Sequence, residues 1–214
     1  MKLIILTLGV GLFLSSALAQ SNEGEAGLFN AAFVAGVNLS QIDGDAAAGY
    51  NKIGINIGGR AGIQFSERFE LSFEILYSQK GAYQRARGNP FFFHTRLDYI
   101  EIPLEANLHE WLVEDAKGNV FSRIVFGAGL SYNQLLLAKR KESGIEVPLF
   151  EENYKKHNLM ITISPTVFFT HKWGVNFRWS RSLYTIRKKD SSNSSARAPA
   201  EILHMLSFRG IYKF

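Results

Sequence analysis

The sequence contains no cysteine among its 214 residues and only five prolines. Without cysteine, the chain forms neither a disulfide nor a thiolate metal site. An exported protein of this size is then stabilised in another way, and closure of a β-barrel is one such way. After residue 19, no uncharged apolar run reaches the roughly 18 residues that a membrane-spanning helix needs. The longest run, residues 124–138, is interrupted by Gly, Ser, Asn and Gln.

The first nineteen residues are typical of a secretory signal peptide. Lys2 supplies a positive charge, residues 3–14 form an apolar run, and Ala17-Leu18-Ala19 matches the small-x-small pattern before a cleavage site. We therefore predict a signal peptide over residues 1–19, an N-terminal lead over 20–29 and one β-barrel domain over 30–214. A transmembrane anchor is the alternative, which the short apolar run without a stop-transfer flank disfavours. Since Lys2 is the only charged residue removed, the mature chain carries a net charge of +4.

The longest regular pattern runs from Ile53 to Lys80. On both sides of a short turn, Ser66-Glu67-Arg68, one parity is apolar and the other is polar or glycine, with Leu76 as the exception. A period of two indicates β-strands, because successive side chains leave opposite faces of a strand. The two strands predict an antiparallel hairpin. Soluble strands usually have about 5–6 residues and membrane-barrel strands about 9–11, so the length favours a membrane barrel.

The same alternation predicts eight strands along the chain. They span residues 31–40, 53–65, 69–80, 97–108, 120–134, 159–170, 175–184 and 201–214. Long connections at 41–52, 81–95, 136–158 and 185–200 alternate with shorter ones, of which 109–119 is the longest. Outer-membrane barrels have short periplasmic turns and long external loops. The sequence thus predicts an all-β fold, an eight-stranded antiparallel up-and-down transmembrane β-barrel with short periplasmic turns and long external loops.

Aromatic residues support this orientation, because Trp and Tyr concentrate where a membrane meets water. Those at the predicted inner rim are Phe65, Phe69, Trp111, Trp173, Tyr212 and Phe214, and those at the outer rim are Tyr77, Tyr132 and Tyr184. A soluble, lipocalin-like barrel that is periplasmic or secreted remains the alternative fold. Pro103 and Pro165 lie within predicted strands, where a missing N–H is harmful in a closed barrel. A β-bulge at each proline would reconcile both with a closed barrel.

Three segments carry a resemblance to a known family. They are Gly36-Val37-Asn38-Leu39-Ser40, residues 54–65 continuing into 71–81, and Leu97-Asp98-Tyr99-Ile100-Glu101-Ile102-Pro103-Leu104. In this order they resemble the PorT-like, porin-family outer-membrane β-barrel domain proteins of Gram-negative envelopes. The resemblance covers essentially the whole mature chain and implies an eight-stranded barrel in the outer membrane, reached by export through the periplasm, without an assigned activity. The alternating aromatics Phe208, Tyr212 and Phe214 resemble the signal that the outer-membrane assembly machinery reads.

Charged residues on the polar parity are the candidates for a functional site. The predicted lumen network contains Arg60, Glu70, Glu74, Glu101, Glu105, Arg123, Arg178 and Arg209, and Lys80 and Lys213 share its parity. An eight-stranded barrel is just wide enough inside for side chains to fill it, so charges there must pair. We expect salt bridges that plug the lumen. The alternative is a narrow ion path or ligand site.

The sequence offers no group of residues suited to catalysis. The five histidines lack metal-ligand spacing, no serine lies in a Gly-x-Ser-x-Gly elbow, and His204 and Ser207 have opposite parity on the last strand. Glu70/Glu74 and Glu101/Glu105 are about 13 Å apart along their strands, too far for a catalytic pair. We predict no catalytic, cofactor-binding or metal site, no cofactor and no enzymatic activity. An outer-membrane enzyme acting on lipid or peptide, and a small-solute pore, are the alternatives.

The predicted function is structural or surface-binding and is exercised through the four external loops, because loops on rigid scaffolds carry function. The expected partners are outer-membrane lipid and lipopolysaccharide, whose phosphates the basic run Arg187-Lys188-Lys189 could meet, and the assembly machinery. An unidentified external ligand or protein is a further candidate partner. Nucleic acid is not expected, because aromatics interleaved with basic residues for base stacking are absent. The protein is expected to be a monomer.

Overall fold

The computed structural model describes residues 29–44, 49–85, 92–147, 154–187 and 201–214. The predicted signal peptide and nearly all of the N-terminal lead lie outside these ranges. The described residues form antiparallel β-strands. They are β1 (Phe29–Asp43), β2 (Lys52–Gln64), β3 (Phe69–Arg85), β4 (Phe92–Glu114), β5 (Val120–Glu142), β6 (Ile145–Glu146), β7 (His157–Phe168), β8 (Trp173–Ser182) and β9 (Ile202–Lys213).

Eight of these strands close into a ring. Each ring strand pairs with its neighbours in the sequence, β4 pairs with β5, and β1 pairs with β9 to complete the circle. The two-residue β6 pairs only with the end of β5 and stands outside the ring. The predicted eight-stranded antiparallel up-and-down barrel is therefore confirmed.

Along the strands, exposed and buried side chains alternate as a period of two requires. In β2, Ile53, Ile55 and Ile57 are 65%, 48% and 42% exposed, whereas Gly54 and Asn56 between them are buried. The exposed side chains are thus apolar and the buried ones polar or small, which is the reverse of a soluble protein. No helix in the described ranges is long and apolar enough to cross a membrane.

Several strands extend beyond their predicted bounds. β3 continues to Arg85, β4 starts at Phe92 and β5 continues to Glu142, so the predicted loops 81–95 and 136–158 are partly strand. The sequence there is charged, but the backbone ladder continues regardless, as the pairs His94↔Lys141 and Thr95↔Arg140 show. At the opposite end β4 reaches Glu114, which shortens the predicted 109–119 connection to residues 115–119.

The turn at residues 115–119 is organised by Asp115. Its carboxylate accepts hydrogen bonds from the Asn119 side chain at 2.8 Å and from the backbone N–H groups of Asn119 and Lys117 at 3.0 and 2.8 Å. These bonds, that of the Asn119 side chain foremost, hold the pKa of Asp115 below its ordinary value. The barrel thus has a turn end, with connections 65–68, 115–119 and 169–172, and a loop end with the longer connections.

The structure shows no register shift at either proline. The β3–β4 pairing is interrupted at Pro103, and the β7–β8 pairing at Pro165, but the register is the same on both sides of each gap. Both prolines keep their pairing with β5, opposite Ser131 and Phe126. Because the N–H groups of a strand point to alternate neighbours, a proline removes the bond to one neighbouring strand only. The register shift observed in this sheet lies between Asp98 and Tyr99.

Candidate functional site

The inward parity of five strands places a balanced set of charges in the lumen. Four cations (Arg60, Lys80, Arg178 and Arg209) face four carboxylates (Glu70, Glu74, Glu101 and Glu105), and the exposed fraction of each side chain is at most 8%. We call these eight residues the lumen network. Its formal charges cancel, which is what burial of charge requires.

Arg178, on β8, is the centre of the lumen network. Its guanidinium lies 2.9 Å from a carboxylate oxygen of Glu74, 2.9 Å from Glu105 and 3.8 Å from Glu101. These carboxylates come from β3 and β4, so one side chain links strands on different sides of the lumen. Glu101 and Glu105, which are too far apart along β4 to act as a catalytic pair, are therefore bridged by Arg178.

The remaining pairs extend the lumen network in both directions along the barrel axis. Towards the turn end, Arg60 lies 2.6 Å from Glu70, and His109 lies 3.4 Å from the same carboxylate. Towards the loop end, Lys80 lies 2.8 Å from Glu101 and donates a hydrogen bond of 2.6 Å to Asn133.

Neutral polar residues add hydrogen bonds to the network. Arg209 lies 2.9 Å from Glu74 and also donates to the Asn176 side-chain oxygen, while Thr162 and Ser164 each donate to Glu105 at 2.8 Å. These neutral partners and His109 were missed in the sequence analysis, because it considered only charged side chains of the lumen parity. Their inward parity on β4, β7 and β8 is the signal that would have found them.

Two of the predicted lumen residues lie nearer the turn end than the lumen network. Arg123 is exposed near the turn end, and its guanidinium lies 5.8 Å from the centre of the Trp111 ring. Its position in the first residues of β5 puts it beyond the enclosed part of the lumen, although its parity is inward. Lys213, at the end of β9, places its ammonium 4.1 Å from the centre of the Phe168 ring.

Two buried apolar clusters share the lumen with the network. The turn-end cluster is formed by Ala32, Val34, Leu76, Val125, Phe168 and Ile211. The loop-end cluster is formed by Ile42, Ala82, Leu97, Tyr99, Leu135, Ala138, Tyr154, Met160, Ile186 and Leu203. Leu76, the exception in the sequence pattern, belongs to the first cluster. Charged and apolar side chains are thus interleaved near the turn end, where Leu76 lies beyond Glu70 and Glu74 on β3, whereas the loop-end cluster covers the network on its other side.

Two external connections meet over the loop-end cluster. The Tyr154 hydroxyl donates a 2.9 Å hydrogen bond to the buried Glu201 carboxylate, which also lies 2.9 Å from Arg187. A backbone bond from Lys155 to Ile186 joins the same segments. Burial and the neighbouring Glu201 charge raise the pKa of Tyr154, so its hydroxyl stays protonated and remains a donor. Of the basic run, Arg187 is therefore paired, and Lys188 and Lys189 lie outside the described residues.

The residues of the predicted assembly signal lie on the outside of β9 and at its end. Phe208 and Phe214 are 47% and 67% exposed. The Tyr212 ring lies 4.7 Å from that of Trp173 and 5.8 Å from that of Phe214, centre to centre. These rings form an aromatic surface at the turn end, where the sequence analysis placed the inner rim.

The described residues contain no group of three His, Asp or Glu side chains placed to hold a metal ion. His171 pairs with Asp115 at 3.0 Å at the turn end, and His204 pairs with Asp43 at 2.9 Å at the loop end. These pairs lie at opposite rims, so they do not converge on one reaction centre. The buried polar groups of the lumen mostly bind one another, which fills and stiffens the barrel.

Residues 18–187 match the family model described as outer membrane protein beta-barrel domain. No curated protein shares significant sequence similarity with the chain. Among solved structures, the chain is similar to Neisserial surface protein A (15% identity, 89% of this chain and 100% of that one, TM-score 0.46). It is also similar to Ail, the attachment invasion locus protein of Yersinia pestis (9%, 86% and 98%, 0.43), and to OprG from Pseudomonas aeruginosa (9%, 89% and 98%, 0.42).

Proposed function

The chain belongs to the outer membrane protein β-barrel domain family and lies in the outer membrane, and from this premise we propose a non-conducting barrel that acts through its external loops. The barrel anchors the chain in the membrane, and the long connections at the loop end present a surface for binding outside the cell. In this proposal the lumen network plugs the barrel, and the protein is neither a pore nor an enzyme.

The observation that carries this proposal is the filling of the lumen. An ion entering from the loop end would first leave water for the apolar loop-end cluster, which is costly. It would then meet a charge layer whose members already pair at 2.6 to 2.9 Å, as Arg60–Glu70 and Arg178–Glu74 do. Such an interior favours a rigid scaffold over a conduit.

We predict that the purified protein shows no channel activity in planar lipid bilayers at high salt. The charge layer and the two apolar clusters together oppose the passage of hydrated ions, so reproducible unitary current steps should be absent. Insertion is verified in the same membranes by resistance of the strands to protease. Discrete, repeatable steps from inserted protein would contradict the closed lumen and support the small-solute pore instead.

The non-enzymatic role follows from how the chain uses its polar side chains. Glu74, Glu101 and Glu105 each contact arginine or lysine, and buried Glu201 is held by Tyr154 and Arg187. A carboxylate occupied in this way is poorly suited to act as a general base. Release of fatty acid or cleavage of peptide by the protein in lipid vesicles would support the enzyme alternative.

Within the family, we propose that the protein is a PorT-like member. The segments that carry the resemblance lie on the adjacent strands β1 to β4 and contribute Asn38, Glu74, Lys80 and Glu101 to the lumen. Asn38 donates a 2.9 Å hydrogen bond to Ser78 and accepts one of 2.8 Å from Ser207. The resemblance thus includes residues that fill the interior, and it gives no reason to assign a role in secretion.

The remaining proposals concern biogenesis and surroundings. Residues 1–19 would direct export and be removed before Gln20, and residues 20–29 would precede the barrel on the periplasmic side. Outer-membrane lipid and lipopolysaccharide would surround the exposed apolar belt of a monomeric barrel. An external ligand or protein would contact the loops.

We expect the aromatic end of β9 to be read by the assembly machinery. Phe214→Ala should lower the amount of folded protein in the outer membrane severalfold, because it removes the terminal exposed ring of this surface. The measurement is the folded, heat-modifiable band in membrane fractions. Phe65→Ala is the matched control, since Phe65 is equally exposed (69%) at the same end but lies in a turn. Equal losses in both variants would indicate lost membrane contact instead of a lost signal.

A further inference from the structure

The hairpin of β3 and β4 is basic along its whole outer part. From Gly81 to Leu97 the sequence contains Arg85, Arg87, His94 and Arg96 and no acidic residue. The facing end of β5 adds Lys139, Arg140 and Lys141. The proposed function leaves this concentration of positive charge without a role.

An open cleft of about 330 Å³ lies on the outer face of this region. The register places Tyr83 opposite His94 and His94 opposite Lys141, so the three form a row across β3, β4 and β5. The rings of Tyr83 and His94 are 6.0 Å apart and nearly perpendicular. Asn51, the exposed Ile53 and the largely buried Lys52 (8% exposed) from the start of β2 complete the wall. We call this the basic cleft.

The charge of the basic cleft is less compensated than that of its surroundings. Arg96 lies 2.7 Å from Asp98, and Lys139 lies 3.3 Å from Glu146. The ion pairs found among the described residues include neither Lys52 nor Lys141; the Lys52 ammonium donates to the Ile53 carbonyl at 2.6 Å. Burial, and then the charges of Lys52, Arg96 and Lys141, lower the pKa of His94, which lies outside the membrane-spanning part of β4. Several cations thus act on one small volume.

The height of the basic cleft is set by the register. Ile57, Tyr77 and Ile100 form a row across β2, β3 and β4, and Tyr83 and His94 are six positions further towards the loop end. With a rise of about 3.4 Å per residue and a tilt of about 45°, Tyr83 and His94 lie about 14 Å above that row. On β2 the exposed apolar face continues to Ile53, which lines the cleft, so the cleft lies where the apolar belt ends.

We propose that the basic cleft binds a phosphate of a phosphorylated glycolipid in the outer leaflet of the membrane. The ammonium groups of Lys52 and Lys141 pair with the phosphate, and Tyr83 and Ile53 contact the adjoining sugar. A lipid is favoured over a soluble anion because the cleft opens on the outer face of the wall, directly above the exposed apolar belt, and not on the loop tips. The inference rests on the proposed orientation, with the loop end outside the cell.

The test compares a cleft variant with a variant of equal charge at the other rim. The protein and its K52Q/K141Q and K117Q/K172Q variants are refolded in detergent, and binding of bisphosphorylated lipid A is titrated by native mass spectrometry. Heat-modifiable gel mobility verifies that each variant has folded. We expect K52Q/K141Q to bind lipid A about thirtyfold more weakly, since each of the two lysines contributes on the order of 1 kcal/mol at an anionic surface. K117Q/K172Q, altered in the turn-end connections, should bind like the wild type.

Three further probes identify the ligand. Dephosphorylated lipid A should bind weakly and equally to the wild type and K52Q/K141Q. Inorganic phosphate or a sulfated oligosaccharide that competed as strongly as lipid A would overturn the assignment to a lipid, and equal weakening in both double variants would overturn the assignment to the cleft. In detergent, the binding of lipid A does not depend on the orientation of the barrel in a membrane or on partners of the loops. Absence of lipid A binding would therefore overturn the cleft assignment without contradicting the proposed loop function.

Discussion

Arg178→Gln is expected to destabilise the folded barrel by about 3–5 kcal/mol, the usual cost of breaking a buried ion pair by removing one partner. The substitution leaves Glu74, Glu101 and Glu105 without the cation that lies between them. Glutamine still donates hydrogen bonds, so the loss reports mainly on charge. The measurement is the free energy of unfolding in urea from lipid vesicles, followed by tryptophan fluorescence.

Arg123→Gln is the matched control, because Arg123 is also an inward-parity arginine but is exposed. We expect a change within about 0.5 kcal/mol, as for most surface substitutions. A second test is the double variant E74Q/R178Q, which should be more stable than the sum of its two single variants predicts, since the partners contact each other. Strictly additive losses, or equal losses at Arg123 and Arg178, would contradict a coupled lumen network.

Gly58→Ala is expected to destabilise the barrel by about 3 kcal/mol or to prevent its folding, because there is no space for a methyl group. A Cβ atom built at Gly58 would overlap the Ile75 carbonyl oxygen and lie 2.9 Å from the Leu76 Cα atom of β3. Both atoms belong to the backbone, so relief requires β2 and β3 to separate. Overpacking commonly costs about 1–3 kcal/mol, and a backbone obstacle places this site at the upper end.

The next residue provides the control. A Cβ atom at Gly59 would meet nothing within 4 Å, because this glycine faces outwards on β2. Gly59→Ala should therefore leave stability unchanged or raise it by about 0.4–1 kcal/mol through the reduced freedom of the unfolded chain. Both variants are compared by urea unfolding and by the yield of heat-modifiable protein. Equal behaviour of Gly58→Ala and Gly59→Ala would show that the close approach of β2 to β3 does not limit the packing.

If both predictions hold, the barrel is a tightly fitted scaffold whose interior is devoted to stability. Binding would then be a property of its outside, at the loop end and at the basic cleft. Tyr154 and Arg187 both bind the Glu201 carboxylate, and these contacts hold two of the long connections in place over the lumen. That arrangement would present the loops as a defined surface.

The sequence by itself determined the architecture. Alternation such as Ile53, Ile55 and Ile57 against Gly54 and Asn56 assigned each side chain to a face, because a strand has a fixed period of two. Seven of the eight charges in the predicted network lie on one interior surface. Arg123 is the exception, since parity says which way a side chain points but not how far along the barrel the enclosure extends.

Only the tertiary structure decided what depends on neighbouring strands. The pairing of Arg178 with carboxylates of β3 and β4, the part of Thr162, Ser164 and Asn176, and the meeting of Tyr83, His94 and Lys141 in one cleft all follow from register between strands. The same is true of the continued register at Pro103 and of the ladder beyond the predicted strand ends. The physical reason is that periodicity is a local property of one strand, whereas register arises from closing all eight into a ring.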